Sequence, residues 1–307
     1  MHPDRGPRWR VYSYMHRMVA VALLCLIATP SQAQQRPLPD QQPFLQEVRN
    51  RLDTDDERQS GYMYVQTRRD HKLDKAGKRT DESVKVSESY PGLPGEERWA
   101  RLLSKDGKPV PPHDLEKADA ERRKHAEEYA RKLASDPEKE RAKQEREREK
   151  TRRERNESID DVFRIFDARM LGRESIDGHD TIQFSLTPRP AVKPRTRAGN
   201  IIRNFSGRAW ISESDYELVR LDMEAIDTVS IGFGLLARLH KGSRASFERR
   251  KVNDEAWLPA VASYTFSARV GLVAVMRVGA IVEYSNYKKF SVDTSTTIAA
   301  PRKPSSP

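Results

Sequence analysis

Beyond residue 33 the histidines are His71, His113, His125, His179 and His240. A helical zinc hydrolase needs two imidazoles four residues apart around a glutamate, and none of these five has that spacing. The tetrapeptide Asp177-Gly178-His179-Asp180 sets two carboxylates beside an imidazole, a grouping that could hold a metal or move a proton. Its first two residues are also the dipeptide a two-residue hairpin favours, and the turn accounts for them more simply. Gly232-Phe233-Gly234 lacks the third glycine and the βαβ setting of a dinucleotide loop. No G-x-S-x-G is present to raise a serine on a strand-to-helix elbow. The expectation is a protein that binds and does not catalyse, with no cofactor and no metal.

The single cysteine, Cys25, lies in an apolar run from Met18 to Ala28. Arg5, Arg8, Arg10 and Arg17 precede that run, and Ser31-Gln32-Ala33 follows it. A basic start, a short apolar core and small residues at a cleavage site are the marks of an export signal. Residues 1–33 are therefore expected to be removed between Ala33 and Gln34. The run is too short to span a bilayer comfortably, and Leu24 before Cys25 does not suit a lipoprotein signal. The remaining chain then has no thiol and no disulfide. It keeps 52 basic residues against 45 acidic ones, a net +7. A basic exported protein meets anionic lipid or cell-wall polymer before nucleic acid.

The elements that must position any site divide the chain sharply. Charged residues are 33% of the sequence and the apolar set 36%, so part of the chain must be solvated rather than packed. Residues 34–43 are rich in Pro and Gln and read as a spacer. Phe44, Leu45, Val48 and Leu52 recur at helical spacing. Alternation then gives strands around Tyr62–Gln66, Ser83–Tyr90 and Trp99–Leu103, with turns at Asp74–Lys78 and Ser104–Lys108. This first block is expected to span 44–112.

Residues 113–157 interleave Asp, Glu, Lys and Arg with almost no large apolar side chain. Pairs such as Glu127 with Arg131 support an exposed helix. Ser135-Asp136-Pro137-Glu138 reads as a capping box that starts a second helix. The stretch nearly balances its charges and its second piece has no aromatic, which argues against nucleic acid. Ser158 is expected to cap an amphipathic helix carrying Ile159, Val162, Phe163, Phe166 and Met170 on one face, ended by Gly172.

From Arg173 the period is two. Ile182, Phe184 and Leu186 alternate with polar residues. Pro188 to Arg197 reads as a loop. Strands follow at Phe205–Ile211, Glu217–Ala225, Gly242–Val252, Leu258–Arg269, Leu272–Tyr284 and Tyr287–Asp293. Long strands with tight turns imply an antiparallel meander that curls. The main strand block spans 158–294, and 295–307 is a loose tail. If the helices cover the concave face, an apolar cavity is left between them and the sheet. Its expected walls are Met276, Val278 and Val282 of the most apolar strand, with Tyr264, Phe266, Trp210 and Trp257.

Several motifs carry a family resemblance. They are Glu174-Ser175-Ile176-Asp177-Gly178, Thr187-Pro188-Arg189-Pro190 and Gly207-Arg208-Ala209-Trp210-Ile211-Ser212 with Asp215-Tyr216. Trp257-Leu258-Pro259 and Glu283-Tyr284-Ser285-Asn286-Tyr287-Lys288-Lys289-Phe290 complete the series. Taken in order, they resemble the exported LolA-like proteins, relatives of the outer-membrane lipoprotein-sorting carriers. The resemblance implies an α+β fold: a curled antiparallel sheet, an open half-barrel closed by helices, holding an acyl chain or another apolar group. It also implies a periplasmic or outer-membrane-associated place in a Gram-negative-type envelope, with a lipid or acylated protein as partner. The charged stretch 113–157 reads as a helical insertion. In a second reading this insertion contacts an envelope protein and the barrel serves as a scaffold or sensor.

Overall fold

The computed structural model describes residues 36–53, 55–93, 98–231, 237–270 and 274–289. Contacts divide the chain into Met1–Leu38 and Pro39–Pro307, and every element below belongs to the second unit. The export segment with its Ala33–Gln34 junction, the Gly232-Phe233-Gly234 tripeptide and the tail from 295 lie outside the described residues.

Two helices, α1 (Gln41–Asp53) and α2 (Asp55–Ser60), lead into strands β1 (Tyr62–Leu73), β2 (Arg79–Tyr90), β3 (Trp99–Lys105) and β4 (Lys108–Pro109). A long helical pair follows, α3 (Pro112–Ser135) and α4 (Pro137–Ile165). Then come β5 (Phe166–Ile176), β6 (His179–Pro188), α5 (Arg197–Ile202), β7 (Phe205–Ser212) and β8 (Leu218–Ala225). The chain closes with β9 (Val229–Ile231), β10 (Ala237–Leu239), β11 (Arg244–Val252), β12 (Ala256–Val270) and β13 (Ala274–Lys289). No helix among the described residues is long and apolar enough to cross a membrane.

Among the described residues all strands join one antiparallel sheet of 13 strands, ordered β4-β3-β2-β1-β13-β12-β11-β8-β7-β6-β5, with β10 on β12 and β9 on β10. The first strand pairs with the last, Arg68 opposite Val282 and Asp70 opposite Ala280. The sheet ends in two different edges, β4 and β5, so it is an open half-barrel and not a closed one. The helical pair α3–α4 is the connection that carries the chain from one edge to the other.

Local chemistry explains the tight turns. Asp106 and Gly107 take φ of 52° and 75°, and Asp177 and Gly178 take 49° and 79°. Two successive positive φ values define the hairpin turn whose twist matches that of strands, and Asp-Gly is the dipeptide that tolerates it. The Asp177-Gly178-His179-Asp180 stretch is thus such a turn.

Several boundaries differ from the periodicity reading. The first helix begins at Gln41, inside the expected spacer. The cap of α4 is Asp136, whose carboxylate accepts from the Lys139 amide at 3.1 Å, while the Ser135 hydroxyl donates back to the Lys132 carbonyl. Ser158 is no cap; it sits inside α4 with its hydroxyl on the Glu154 carbonyl. The helix stops at Ile165, and Phe166 to Met170 is strand. Phe166, Ala168 and Met170 satisfy a period of two as well as part of a period of 3.6, and pairing with β6 decides between them. The Pro188–Arg197 loop runs into a helix, α5, capped by Thr196. Tyr287 is not on a separate strand: β13 runs on to Lys289 through Asn286, which takes φ of 53°.

Register assigns faces. Phe184, Ala209, Leu221 and Phe247 follow one another across β6, β7, β8 and β11. The row continues through Ala262 to Val282. This face receives α1: Phe44 and Val48 are buried against Ile182, Phe184, Ala209 and Ile211. The Phe44 ring lies 5.9 Å from that of Phe184 and 5.3 Å from that of Tyr216. A smaller cluster of Tyr62, Ala256 and Leu258 closes the start of β12. At the other edge α3 is pinned by a bidentate pair, Arg101 to Asp119 at 2.8 and 2.9 Å. No residue of α3 is buried.

Candidate functional site

Between α1, the last turns of α4 and the sheet lies a groove of about 750 Å³. Helix α1 contributes Leu45, Val48 and Leu52, and α4 contributes Ile159, Val162 and Phe163. The floor is apolar: Phe166 and Ala168 of β5, Phe184 and Leu186 of β6, Ala209 and Ile211 of β7, Leu221 of β8. A volume and lining of this kind suit a ligand that is mostly hydrocarbon.

The rim is polar. Arg49, Arg155 and Arg189 stand there with Gln42, Gln46 and Ser158. Arg49 reaches across from α1 to Asp160 of α4, with Nε at 3.0 Å and Nη2 at 2.5 Å from the same carboxylate oxygen. Both side chains are exposed, so the pair is worth little to stability, but it ties the two helical walls together over the groove. Gln41, also on the rim, does something different. Its side-chain amide donates to the Ala168 carbonyl at 3.0 Å and accepts from the Met170 amide at 3.1 Å. It stands in for a neighbouring strand on the edge of β5, the open edge next to the groove.

The α4 wall is held from below by Asp161, which is 1% exposed. Its two oxygens accept from the Arg195 amide, the Thr196 amide, the Thr196 hydroxyl and Arg164, at 2.7 to 3.0 Å. Burial alone pushes this carboxyl's pKa up. The Thr196 amide and hydroxyl, Arg164 and the Arg195 amide outweigh burial and hold it below the ordinary carboxylate value.

The seven residues expected to wall a cavity do not line this groove, and two of them, Trp210 and Tyr264, border a second depression. Trp257 is 2% exposed, its indole N–H on Asp215 at 2.7 Å and the His179 ring edge-on at 5.0 Å. Asp215 also accepts from Lys251 at 3.0 Å. Burial raises its pKa, but Trp257 and Lys251 bring it below the usual value. Trp210 lies on the face away from the helices, 5% exposed, with its N–H on Glu174 at 2.7 Å and Arg220 over the ring. Tyr264 and Phe266 stack at 4.7 Å, and the Tyr264 hydroxyl accepts from Arg68. Val278 lies opposite Phe266, Val282 is buried, and Met276 is 48% exposed. By register Tyr264, Phe266, Met276, Val278 and Val282 share the face that carries the groove floor. They sit on strands beyond it, and none of the seven lines the groove. The alternation of Ile182, Phe184 and Leu186 carries the signal for the floor of this groove. Which strands lie under the helices depends on strand order, which that alternation does not carry.

Comparison with known proteins gives only slight likenesses. No family model matches the sequence, and no curated protein matches it. Among solved structures the chain is similar to a domain assigned to outer membrane lipoprotein sorting in Vibrio parahaemolyticus. The two are 10% identical with a TM-score of 0.32, over 83% of this chain and 93% of that one. It is similar to a LolA superfamily protein of Nitrosomonas europaea at 12% identity and a TM-score of 0.26, over 81% and 94%. A third is the MucA/MucB complex of Pseudomonas aeruginosa, at 7% identity and a TM-score of 0.23, over 81% and 99%. Likeness this slight assigns the chain no ligand and no partner.

Proposed function

We propose that this protein is an exported, non-enzymatic carrier that holds the acyl chain of a lipid or lipoprotein in the groove between α1, α4 and the sheet. One observation carries the reading: a groove of about 750 Å³ whose walls and floor are aliphatic and aromatic while its polar rim holds three arginines. Hydrocarbon leaves water for such a space at about 25 cal/mol per Å² of apolar area. Arg49, Arg155 and Arg189 at the mouth suit an anionic headgroup. The chain end would run from the groove along the same sheet face toward Phe266 and Val278. No step of the reading requires a nucleophile or a metal.

The test is lipid extraction. The protein secreted from its own leader is purified, its N-terminus sequenced, and its bound lipid identified by mass spectrometry. Mature protein starting at Gln34 with an exchangeable acyl lipid is the expected result. Val162→Trp, which places a larger ring in the groove, should release that lipid while the protein stays folded. A groove that stays empty against palmitoyl lysophosphatidylglycerol would overturn the reading.

A second reading makes α3 and the exposed part of α4 a contact surface for an envelope protein. The absence of any buried residue in α3 favours it. Removing 113–157 outright cuts the connection between the two sheet edges. Reversing the exposed charges Glu127 and Arg131 is the cleaner probe: a scaffold loses its partner, whereas a carrier keeps its lipid.

A further inference from the structure

We propose a second binding site, for a neutral oligosaccharide, on the sheet face turned away from α1 and α4. A depression of about 680 Å³ crosses β7, β8, β11 and β12 there. Register builds its floor. Arg208 pairs with Asp222, Asp222 with Ser246 and Ser246 with Ser263. Four polar side chains thus form one row over four strands, roughly 14 Å at ordinary strand spacing.

Among the described residues, one buried atom in that row has no partner and one exposed side chain meets only solvent. Arg208 is exposed, and among the described residues it meets no carboxylate, hydroxyl or ring, although Asp222 is its direct neighbour across the strands. Asp222 Oδ2 accepts from Arg220 Nε at 3.0 Å, while Oδ1 is enclosed and accepts nothing. The last torsion of an aspartate is soft, so Oδ1 can be presented to the groove by a rotation that exchanges it with Oδ2 on Arg220. A ligand that accepts from Arg208 and donates to Asp222 answers both. Each hydroxyl of a sugar can do either, and the Ser246 and Ser263 hydroxyls, 3.2 Å apart, offer the same dual chemistry.

The alternatives fit less well. Two guanidinium groups, Arg208 and Arg244, line the depression with two carboxylates, Asp222 and Glu224, so an anion meets repulsion as well as attraction. An acyl chain finds little to bury against, since Trp210, in the next row along β7, is covered by Arg220. An extended peptide finds no free edge, because all four strands are paired on both sides.

The experiment is calorimetric titration of the full chain with chitotriose, cellotriose and maltotriose to about 10 mM, beside a heparin tetrasaccharide and inorganic phosphate. At least one neutral trisaccharide should saturate. Arg208→Ala and Ser246→Val should each weaken it about tenfold. Arg208 supports nothing in the fold, so its variant should keep the wild-type circular dichroism and melt. Val162→Trp, on the opposite face, should bind sugar normally, which separates this site from the acyl groove. No saturation by any neutral sugar, unchanged binding in both variants, or tighter binding of heparin or phosphate would each overturn the proposal.

Discussion

Replacing Asp161 by Asn tests the wall of the groove most directly. The aspartate is 1% exposed and accepts two backbone amides, one hydroxyl and one guanidinium. Asparagine keeps the shape but turns one acceptor into a donor that faces N–H groups. Hydrogen bonds to a charged acceptor contribute about 1.5–3 kcal/mol each, and a buried donor left without a partner costs a similar amount. Their effects overlap within one cluster, so the expected loss is about 3–5 kcal/mol, the range seen when a buried charge network is broken. The site cannot relax easily. A Cβ on Gly199 would lie 2.3 Å from Asp161 Oδ2, so the start of α5 is packed hard against the carboxylate. For a domain of this size a loss of that kind lowers the melting temperature by roughly 6–20 °C.

The assay is urea unfolding of wild type and Asp161→Asn at several pH values. Because the folded-state pKa is lowered, the stabilisation is complete above the unfolded value near 3.9. It is lost as pH falls through the lower folded value. The two proteins should therefore differ fully at pH 7 and approach each other only below about pH 4. A variant within 0.5 kcal/mol of wild type at pH 7 (roughly the background of a neutral surface substitution), or a gap that persists unchanged into acid, would refute the account.

Two further outcomes follow from particular contacts. Gln41→Ala uncovers the Ala168 carbonyl and the Met170 amide on the open edge; about 1–2 kcal/mol of stability should go, and light scattering should show concentration-dependent self-association. Arg101→Ala removes both bonds to Asp119; hydrogen exchange should rise along α3, while α4 from Asp161 onward keeps its protection.

What could be read from residue order alone is local. The Asp-Gly turns follow from the positive φ that few other pairs accept, and the alternation of Ile182, Phe184 and Leu186 follows from the pleat. The α1 stripe of Phe44, Val48 and Leu52 follows from 3.6 residues per turn, and the break at Pro137 from its missing N–H. The long charged pair of helices was legible for the same reason, since charge at helical spacing needs no partner. Tertiary structure decided the rest. The residues Phe166 to Met170 fit two periods, and only the β6 ladder makes them strand. That β1 lies beside β13 depends on pairing across most of the chain, to which no local window is sensitive. The groove floor formed on β5 to β8, and not under Phe266 and Met276, because the helices land where strand order and connection length set them down. Asp161 carries no mark in the sequence at all: its role exists only once a loop more than thirty residues away folds its amides onto it.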